Sequence, residues 1–378
     1  MKAGRTLATF LLVGALLVAV ACRPERPREL RARLSVAESL RGTGPEGFAQ
    51  ALTPRAFHFP EDHGPHPEFR TEWWYYTGNL ATAEGRRFGF QLTFFRNALS
   101  PHPPERASRW ATNQVYLAHF TLTDVEAGRF RSFERLERGA VGLAGAQASP
   151  FRVWLGDWAS AGPEGRETAT PIRLTASDGG TAIDLTLQAG KPPVLEGDHG
   201  LSRKGTEPGQ ASYYYSLPRM PAAGTVRSGG TSYAVSGLAW MDREWSTSSL
   251  SPDQVGWDWF SLQLADGREL MLYRLRRKDG SADPASSGTL IAADGSSRPL
   301  GSTDVKLDTA GAWTSPRSGA RYPARFHLRL PALGLDLDVR PLLADQELDT
   351  SFRYWEGAVA VTGTVAGSGY VELTGYAR

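Results

Sequence analysis

Between Phe57 and Arg96 the chain runs four consecutive aromatics, Trp73-Trp74-Tyr75-Tyr76, straight out of a histidine- and proline-rich segment, and then a second apolar stretch from Phe88 to Phe95. Neighbouring large rings lose side-chain freedom in a helix but fit a pleated, half-buried surface. The two runs therefore read as strands over residues 72–80 and 86–96, joined in a hairpin across Thr82-Ala83-Glu84-Gly85. Alternation puts each neighbour on the opposite face of a strand. About half of the chain's clustered rings then fill cores, and the remainder are free to line a cavity for an elongated apolar ligand.

The pattern holds beyond the hairpin. Residues 114–125 alternate, with Val115, Leu117, His119 and Thr121 on one face and Tyr116, Ala118, Phe120 and Leu122 on the other. Further strands are expected at 152–157, 172–176, 182–187 and 212–217, after which Pro218, Pro221 and Gly224 mark the end of a first unit. A second unit starts at 231–240, forms a hairpin from 257–264 to 268–276 across Asp266-Gly267, and continues through 290–293, 326–330, 335–339, 354–364 and 370–376. Glu72-Trp73 in the first unit is echoed by Glu244-Trp245 in the second, which is either a tandem repeat or the common look of Trp-rich hairpins. No segment after residue 55 holds a long helical period. The expected fold is all-β: two tandem β-barrel or sandwich domains, 56–220 and 221–378, and a chain of 378 residues has room for both.

The first residues are not part of that fold. Lys2 and Arg5 precede an apolar run from Leu7 to Val20, and Ala19-Val20-Ala21-Cys22 follows. This reads as a signal peptide over 1–21, with Cys22 placed as the acylated first residue of a lipoprotein; the alternative is an ordinary secretory signal that happens to end in cysteine. A tether over 22–55 follows. Arg23 after the cysteine points to the periplasmic side of the outer membrane in a Gram-negative cell, so the expected location is the cell envelope, held by lipid. Cys22 is the only cysteine, which excludes an intrachain disulfide. A net charge of +2 gives no electrostatic case for nucleic acid.

Several residues could carry chemistry. His63 and His66 flank Gly64-Pro65, with Asp62 and Glu68 near, but the interleaved prolines and the lack of a helix face or cysteine partner argue for a rigid loop rather than a metal site. Glu72, Asp242 and Glu244 are the candidate acids. Glu244 either locks an ion pair beside Asp242 and Arg243 or is a carboxylic acid whose pKa is raised by aromatic walls, fit to protonate an alkene or an ether. Trp73, Trp74, Tyr75, Trp240, Trp245, Trp257, Trp259 and Tyr273 cluster near these motifs as candidate ligand contacts, with His63, His66 and Arg243 beside them. No Gly-x-Ser-x-Gly elbow is present, which leaves a serine hydrolase unsupported. Gly42-Thr-Gly44-Pro45-Glu46-Gly47 fits a dinucleotide pattern only by accident, since no strand precedes it, and no cofactor is expected.

Two of these runs are similar to a known family. Phe59-Pro60-Glu61-Asp62-His63-Gly64-Pro65-His66-Pro67 with Glu72-Trp73-Trp74-Tyr75-Tyr76-Thr77-Gly78-Asn79-Leu80, and Gly237-Leu238-Ala239-Trp240-Met241-Asp242-Arg243-Glu244-Trp245-Ser246, resemble the signatures of the AttH-like, lipocalin-like family that also contains carotenoid 1,2-hydratase. The resemblance implies two lipocalin-type β units with the site near their junction. It also implies a possible FtsX-type ABC permease as partner, since members are often encoded beside one. The hydratase branch adds water to a terminal alkene of an acyclic carotene without a cofactor, and its second signature resembles His-Asp-His-Asn-Trp. Here Arg243 stands in place of the histidine two before the tryptophan; arginine cannot act as a general acid near neutral pH, a departure that counts against carotenoid hydration and makes Glu244 only a candidate substitute. Three expectations follow: an envelope lipoprotein that binds a lipid or isoprenoid, a cofactor-free hydratase, lyase or hydrolase-like enzyme working by carboxylate acid–base chemistry in the same cavity, or a structural lipoprotein with packed cores and no cavity.

Overall fold

The computed structural model describes residues 46–165, 168–248 and 250–376. The signal segment, Cys22 and the tether up to residue 45 lie outside the described residues. Among those described, the chain is almost entirely β, with only the 3-10 turns Glu61–His63 and Pro331–Leu333.

The first sheet contains β1 (Thr71–Ala81), β2 (Arg87–Ala98), β3 (Gln114–Asp124), β4 (Arg129–Arg138), β5 (Ala144–Gln147), β6 (Arg152–Leu155), β7 (Trp158–Ala161), β8 (Ile172–Asp178), β9 (Thr181–Leu187), β10 (Val194–Leu195), β11 (Leu201–Arg203), β12 (Ala211–Ser228) and β13 (Thr231–Ser246). Its order is β4-β3-β2-β1-β13-β12-β9-β8-β7-β6-β5, with β10 and β11 also on β12. β3 and β4 at one end touch β6 near the other, so the sheet curls almost into a barrel. The second sheet contains β14 (Gln254–Leu264), β15 (Glu269–Arg277), β16 (Ser287–Ile291), β17 (Ser297–Gly301), β18 (Lys306–Thr314), β19 (Arg321–Leu330), β20 (Leu335–Pro341), β21 (Trp355–Gly363) and β22 (Gly367–Leu373). It is ordered β17-β16-β15-β14-β22-β21-β20-β19-β18 and stays open, as a half-barrel.

Two expectations about organisation are corrected. The boundary expected at 220/221 falls inside β12, which continues to Ser228 and pairs with β13 along its length. Pro218 is absorbed where the register shifts between Leu217 and Met220, a bulge that needs no ladder N–H there. Gly224 serves a close approach: a Cβ there would meet the Asp184 carbonyl oxygen at 2.1 Å. The first sheet thus ends at Ser246 and the second begins at Gln254. The Glu-Trp echo also changes meaning. β1 and β13 are neighbours in one sheet, antiparallel, with Glu72 opposite Trp245 and Trp73 opposite Glu244.

Alternation sorts the side chains into three layers. Inside the first sheet, Trp74, Tyr76, Phe90, Phe94, Tyr215 and Trp245 fill the barrel. Inside the second, Phe260, Leu272, Phe326 and Trp355 do the same. Between the sheets lies a third layer, where Tyr75, Tyr214 and Trp240 face Trp259, Met271 and Tyr273. Each ring taken fully out of water contributes ~1.5–3 kcal/mol, so these layers and not the polar contacts dominate the stability. Polar pins then set how the sheets meet: Gln263 donates to the Ala239 carbonyl at 3.0 Å, and Lys191 reaches Glu269 at 2.6 Å.

Candidate functional site

Buried side chains pack the core of each shell, and a hollow lies in the layer between them. It has a volume of about 140 Å³. One wall comes from the first sheet: Trp73 and Tyr75 of β1, His119 of β3, Tyr214 of β12, and Asp242 and Glu244 of β13. The facing wall comes from Trp257 and Trp259 of β14, Tyr273 of β15 and Glu372 of β22, with Lys204 and Tyr354 from flanking loops. The period of two on β1 and β13 explains the selection: residues at 73 and 75, and at 242 and 244, share the outer face of the barrel.

Asp242 is the most tightly held of the cavity acids. The Tyr214 hydroxyl donates to its Oδ2 at 2.6 Å, while Ser216 Oγ at 2.6 Å and Trp240 Nε1 at 2.7 Å reach Oδ1. Burial pushes its pKa up to about 7, against those hydrogen bonds and with the nearby charge of Glu244 adding to the rise. Glu372 accepts from Trp257 Nε1 at 3.1 Å. Its burial, reinforced by Asp242 and Glu244, raises its pKa to about 8. Glu244 takes the Ser212 hydroxyl and stands 3.4 Å from Lys204 Nζ, which lies 3.9 Å over the Tyr273 ring and 3.0 Å from Ser202 Oγ. At the cavity edge the His119 ring lies between the Tyr354 hydroxyl at 2.8 Å and Glu134 at 3.0 Å. Tyr75 donates to the fully buried Glu356, which burial and the charge of Glu372 hold well above the ordinary carboxylate range.

Other candidates from the sequence point into the barrel instead. Glu72, Trp74, Arg243 and Trp245 occupy the inner face of β1 and β13. Glu72 binds both Arg96 and Arg243 and accepts the His66 N–H at 3.0 Å. Burial alone would raise its pKa; the charges of Arg243 and Arg96 outweigh it and hold the carboxyl well below the usual range. Arg243 also lies 4.0 Å over the Trp74 ring. His66 stacks on Trp245 at 3.8 Å and contacts Asp62 at 3.0 Å. His63 meets the Tyr215 hydroxyl at 2.6 Å, and burial with the Arg243 charge lowers its pKa to about 4, so its ring is neutral at pH 7. The grouping of Glu72 with Asp242 and Glu244 is therefore split by one step of alternation. So is the expected Glu244–Arg243 pairing, since Glu244 pairs with Lys204 and Arg243 with Glu72. Among the described residues no cluster of metal-ligating side chains is present.

Sequence reasoning missed Glu372, Lys204, Tyr214, Ser216 and Tyr354 as cavity or supporting residues. Tyr214 carries a legible signal: in Tyr213-Tyr214-Tyr215, the middle ring faces opposite to its neighbours. Glu372 is an acid flanked by the apolar Val371 and Leu373, the mark of a buried charge with a partner or a purpose.

Comparison with known proteins follows the fold closely. The AttH-like family model matches residues 50–376. A solved structure described as an AttH of Nitrosomonas europaea is 36% identical, covers 87% of this chain and 100% of its own, and superposes with a TM-score of 0.77. Kievitone hydratase from Nectria haematococca is 15% identical over 87% of this chain and 96% of its own, with a TM-score of 0.65, a likeness of fold. CghA, solved with Sch210972, shares the fold more loosely, at 14% identity over 88% of this chain and 97% of its own and a TM-score of 0.50. No curated protein sequence matches the chain.

Proposed function

Because the chain belongs to the AttH-like family, we propose that it is a cofactor-free hydratase-type enzyme that adds water to, or removes it from, an unsaturated apolar substrate of isoprenoid kind. One observation carries this reading: Asp242, Glu244 and Glu372 converge on a single aromatic-walled cavity. Two of these carboxyls keep a proton within reach of neutral pH, with pKa values of about 7 and about 8, which is where a general acid works best. In the proposed reaction the Asp242 carboxyl gives its proton to an alkene carbon. The π faces of Trp73, Tyr75 and Trp259 stabilise the cation that forms. Water attacks that cation, and its spare proton passes to Glu244 beside Lys204. The product has gained one H and one OH, and the protein's proton count is unchanged. A hydratase of this fold in Nectria haematococca supports the reaction class by analogy of architecture. Arg243 has no part in it, since it faces the barrel interior, and its inability to release a proton does not bear on the cavity.

The test is incubation of the purified protein with a panel of acyclic isoprenoid alkenes in ¹⁸O-labelled water, followed by mass spectrometry. Labelled alcohol is the expected result; no label with any member of the panel would remove the hydration reading. Asp242 donates only while protonated, so the rate is expected to fall as pH rises through about 7. A rate that climbs across that window would show that Asp242 is not the donor.

The carrier reading rests on the leader: an acylated Cys22 and a permease partner would make the same cavity a holding site for a lipid or isoprenoid in the cell envelope. Native mass spectrometry that finds a retained lipid, together with a blank labelling assay, would favour it. Cys22→Ala is expected to abolish incorporation of labelled palmitate in cells, and persistent labelling would remove the anchor from the proposal.

A further inference from the structure

Ser216 on β12 stands between two buried carboxyls. Its Oγ is 2.6 Å from Asp242 Oδ1 and 3.1 Å from Glu196 Oε1. Ser216 and Glu196 are fully buried, and Asp242 is 3% exposed. A hydroxyl has one proton to donate, so Ser216 cannot donate to both. With both carboxyls ionised, one of the two contacts would join bare oxygens in a dry site, a severe penalty. One carboxyl therefore carries the missing proton. The other donors identify which. Asp242 also accepts from the Tyr214 hydroxyl and Trp240 Nε1, whereas Glu196 has only the Thr289 hydroxyl besides Ser216 among the described hydrogen bonds. The less-stabilised carboxyl holds the proton, which makes it Glu196, donating its O–H to Ser216 Oγ.

We propose that Glu196 and Asp242 share one proton through the Ser216 hydroxyl, and that Glu196, outside the cavity, is the positioning residue that makes Asp242 a proton donor inside it. The second half rests on the acid–base reading of the cavity. The step balances. The Glu196 O–H bond breaks and its proton joins Ser216 Oγ, while the original Ser216 proton moves to Asp242 Oδ1. Ser216 ends as a neutral hydroxyl turned the other way, Glu196 as a carboxylate and Asp242 as the acid facing the substrate. Once that proton is spent, two carboxylates sharing one hydroxyl repel each other, which favours recapture of the proton Glu244 takes from water. Burial with the neighbouring Asp242 charge raises the pKa of Glu196 to about 8, in keeping with the assignment. Thr289 belongs to β16 and Ser216 to β12, so the shared proton also lies across the join of the two sheets.

Infrared spectroscopy of the substrate-free protein at neutral pH tests the shared proton without needing turnover. Glu196→Gln keeps size and a donor toward Ser216, and is expected to remove one protonated-carboxyl C=O band relative to wild type. Loss of a carboxylate band instead, with the protonated bands intact, would overturn the proposal. Should that variant not fold, Ser216→Ala serves: the same band should shift to higher frequency on losing its hydrogen bond, and an unmoved band overturns the link. Given a substrate from the labelling panel, Glu196→Gln should lower kcat by ~10-fold or more with KM unchanged, and an unchanged kcat would remove Glu196 from the reaction. A blank labelling panel beside the expected infrared change would keep the shared proton and discard the hydratase.

Discussion

Asp242→Asn is expected to lower turnover by ~10²–10⁴-fold while leaving the fold and the affinity for an apolar ligand close to wild type. The amide has the shape of the carboxyl and can still accept from Trp240 and Ser216 on its oxygen, while its nitrogen turns to the Tyr214 hydroxyl. No cation is left unpaired, because Asp242 has hydroxyl and indole partners and no salt bridge within 4.0 Å among the described residues. What the variant lacks is a proton it can give up. The measurement pairs kcat/KM in the ¹⁸O assay with ligand occupancy by native mass spectrometry. Equal loss of both would mean that Asp242 only shapes the cavity, and a rate within about threefold of wild type would exclude it as the donor.

Glu72→Gln is expected to do the opposite: destabilise the protein by ~3–5 kcal/mol with no specific effect on the chemical step in whatever fraction remains folded. Arg96 and Arg243 are both fully buried and both depend on this one carboxylate. A neutral amide leaves two guanidinium charges in the barrel without a counter-charge, although backbone carbonyls of His66, Phe69 and Gly64 still receive some of their N–H groups. The intact cluster adds little net stability, since desolvation roughly offsets the attraction; breaking it is what costs. Denaturant unfolding measures the loss. A stable Glu72→Gln protein with abolished turnover would move Glu72 from scaffold to site. The pH dependence has a definite sign. The folded pKa of Glu72 is depressed, so its contribution is present above the ordinary glutamate value near ~4.3 and disappears only as pH falls toward the much lower folded value. Acid, not alkali, should open this part of the barrel.

These two acids invited the same role because each belongs to a tryptophan-bearing motif, Glu72 just before Trp73 and Asp242 between Trp240 and Trp245. Their opposite fates come from parity. In β1 and β13 the even-numbered Glu72 and Trp74 and the odd-numbered Arg243 and Trp245 point inward, while Trp73, Tyr75, Asp242 and Glu244 point outward. Alternation was readable, but which parity faced a cavity was not, because that depends on where a second sheet docks. The same limit hid Glu372, Lys204 and Glu196. They lie in strands and loops remote in sequence from Asp242 and meet it only when β22, the stretch after β11 and β10 are brought to the join.

Local chemistry alone determined the all-β class, the hairpins β1–β2 and β14–β15, and the pool of aromatics and acids from which a site had to be drawn. Strand propensity, turn residues and the period of two are short-range properties written into consecutive residues. Tertiary structure decided three further things. β12 and β13 join the first sheet although two prolines interrupt the run. The polar edge strands β4 and β18, whose apolar residues do not alternate with a period of two, are held by their neighbours. The hollow forms between two packed shells, with one serine left between two carboxyls. Each depends on contacts between residues far apart in the chain, where burial and hydrogen-bond satisfaction act on the assembled surfaces and leave no local mark.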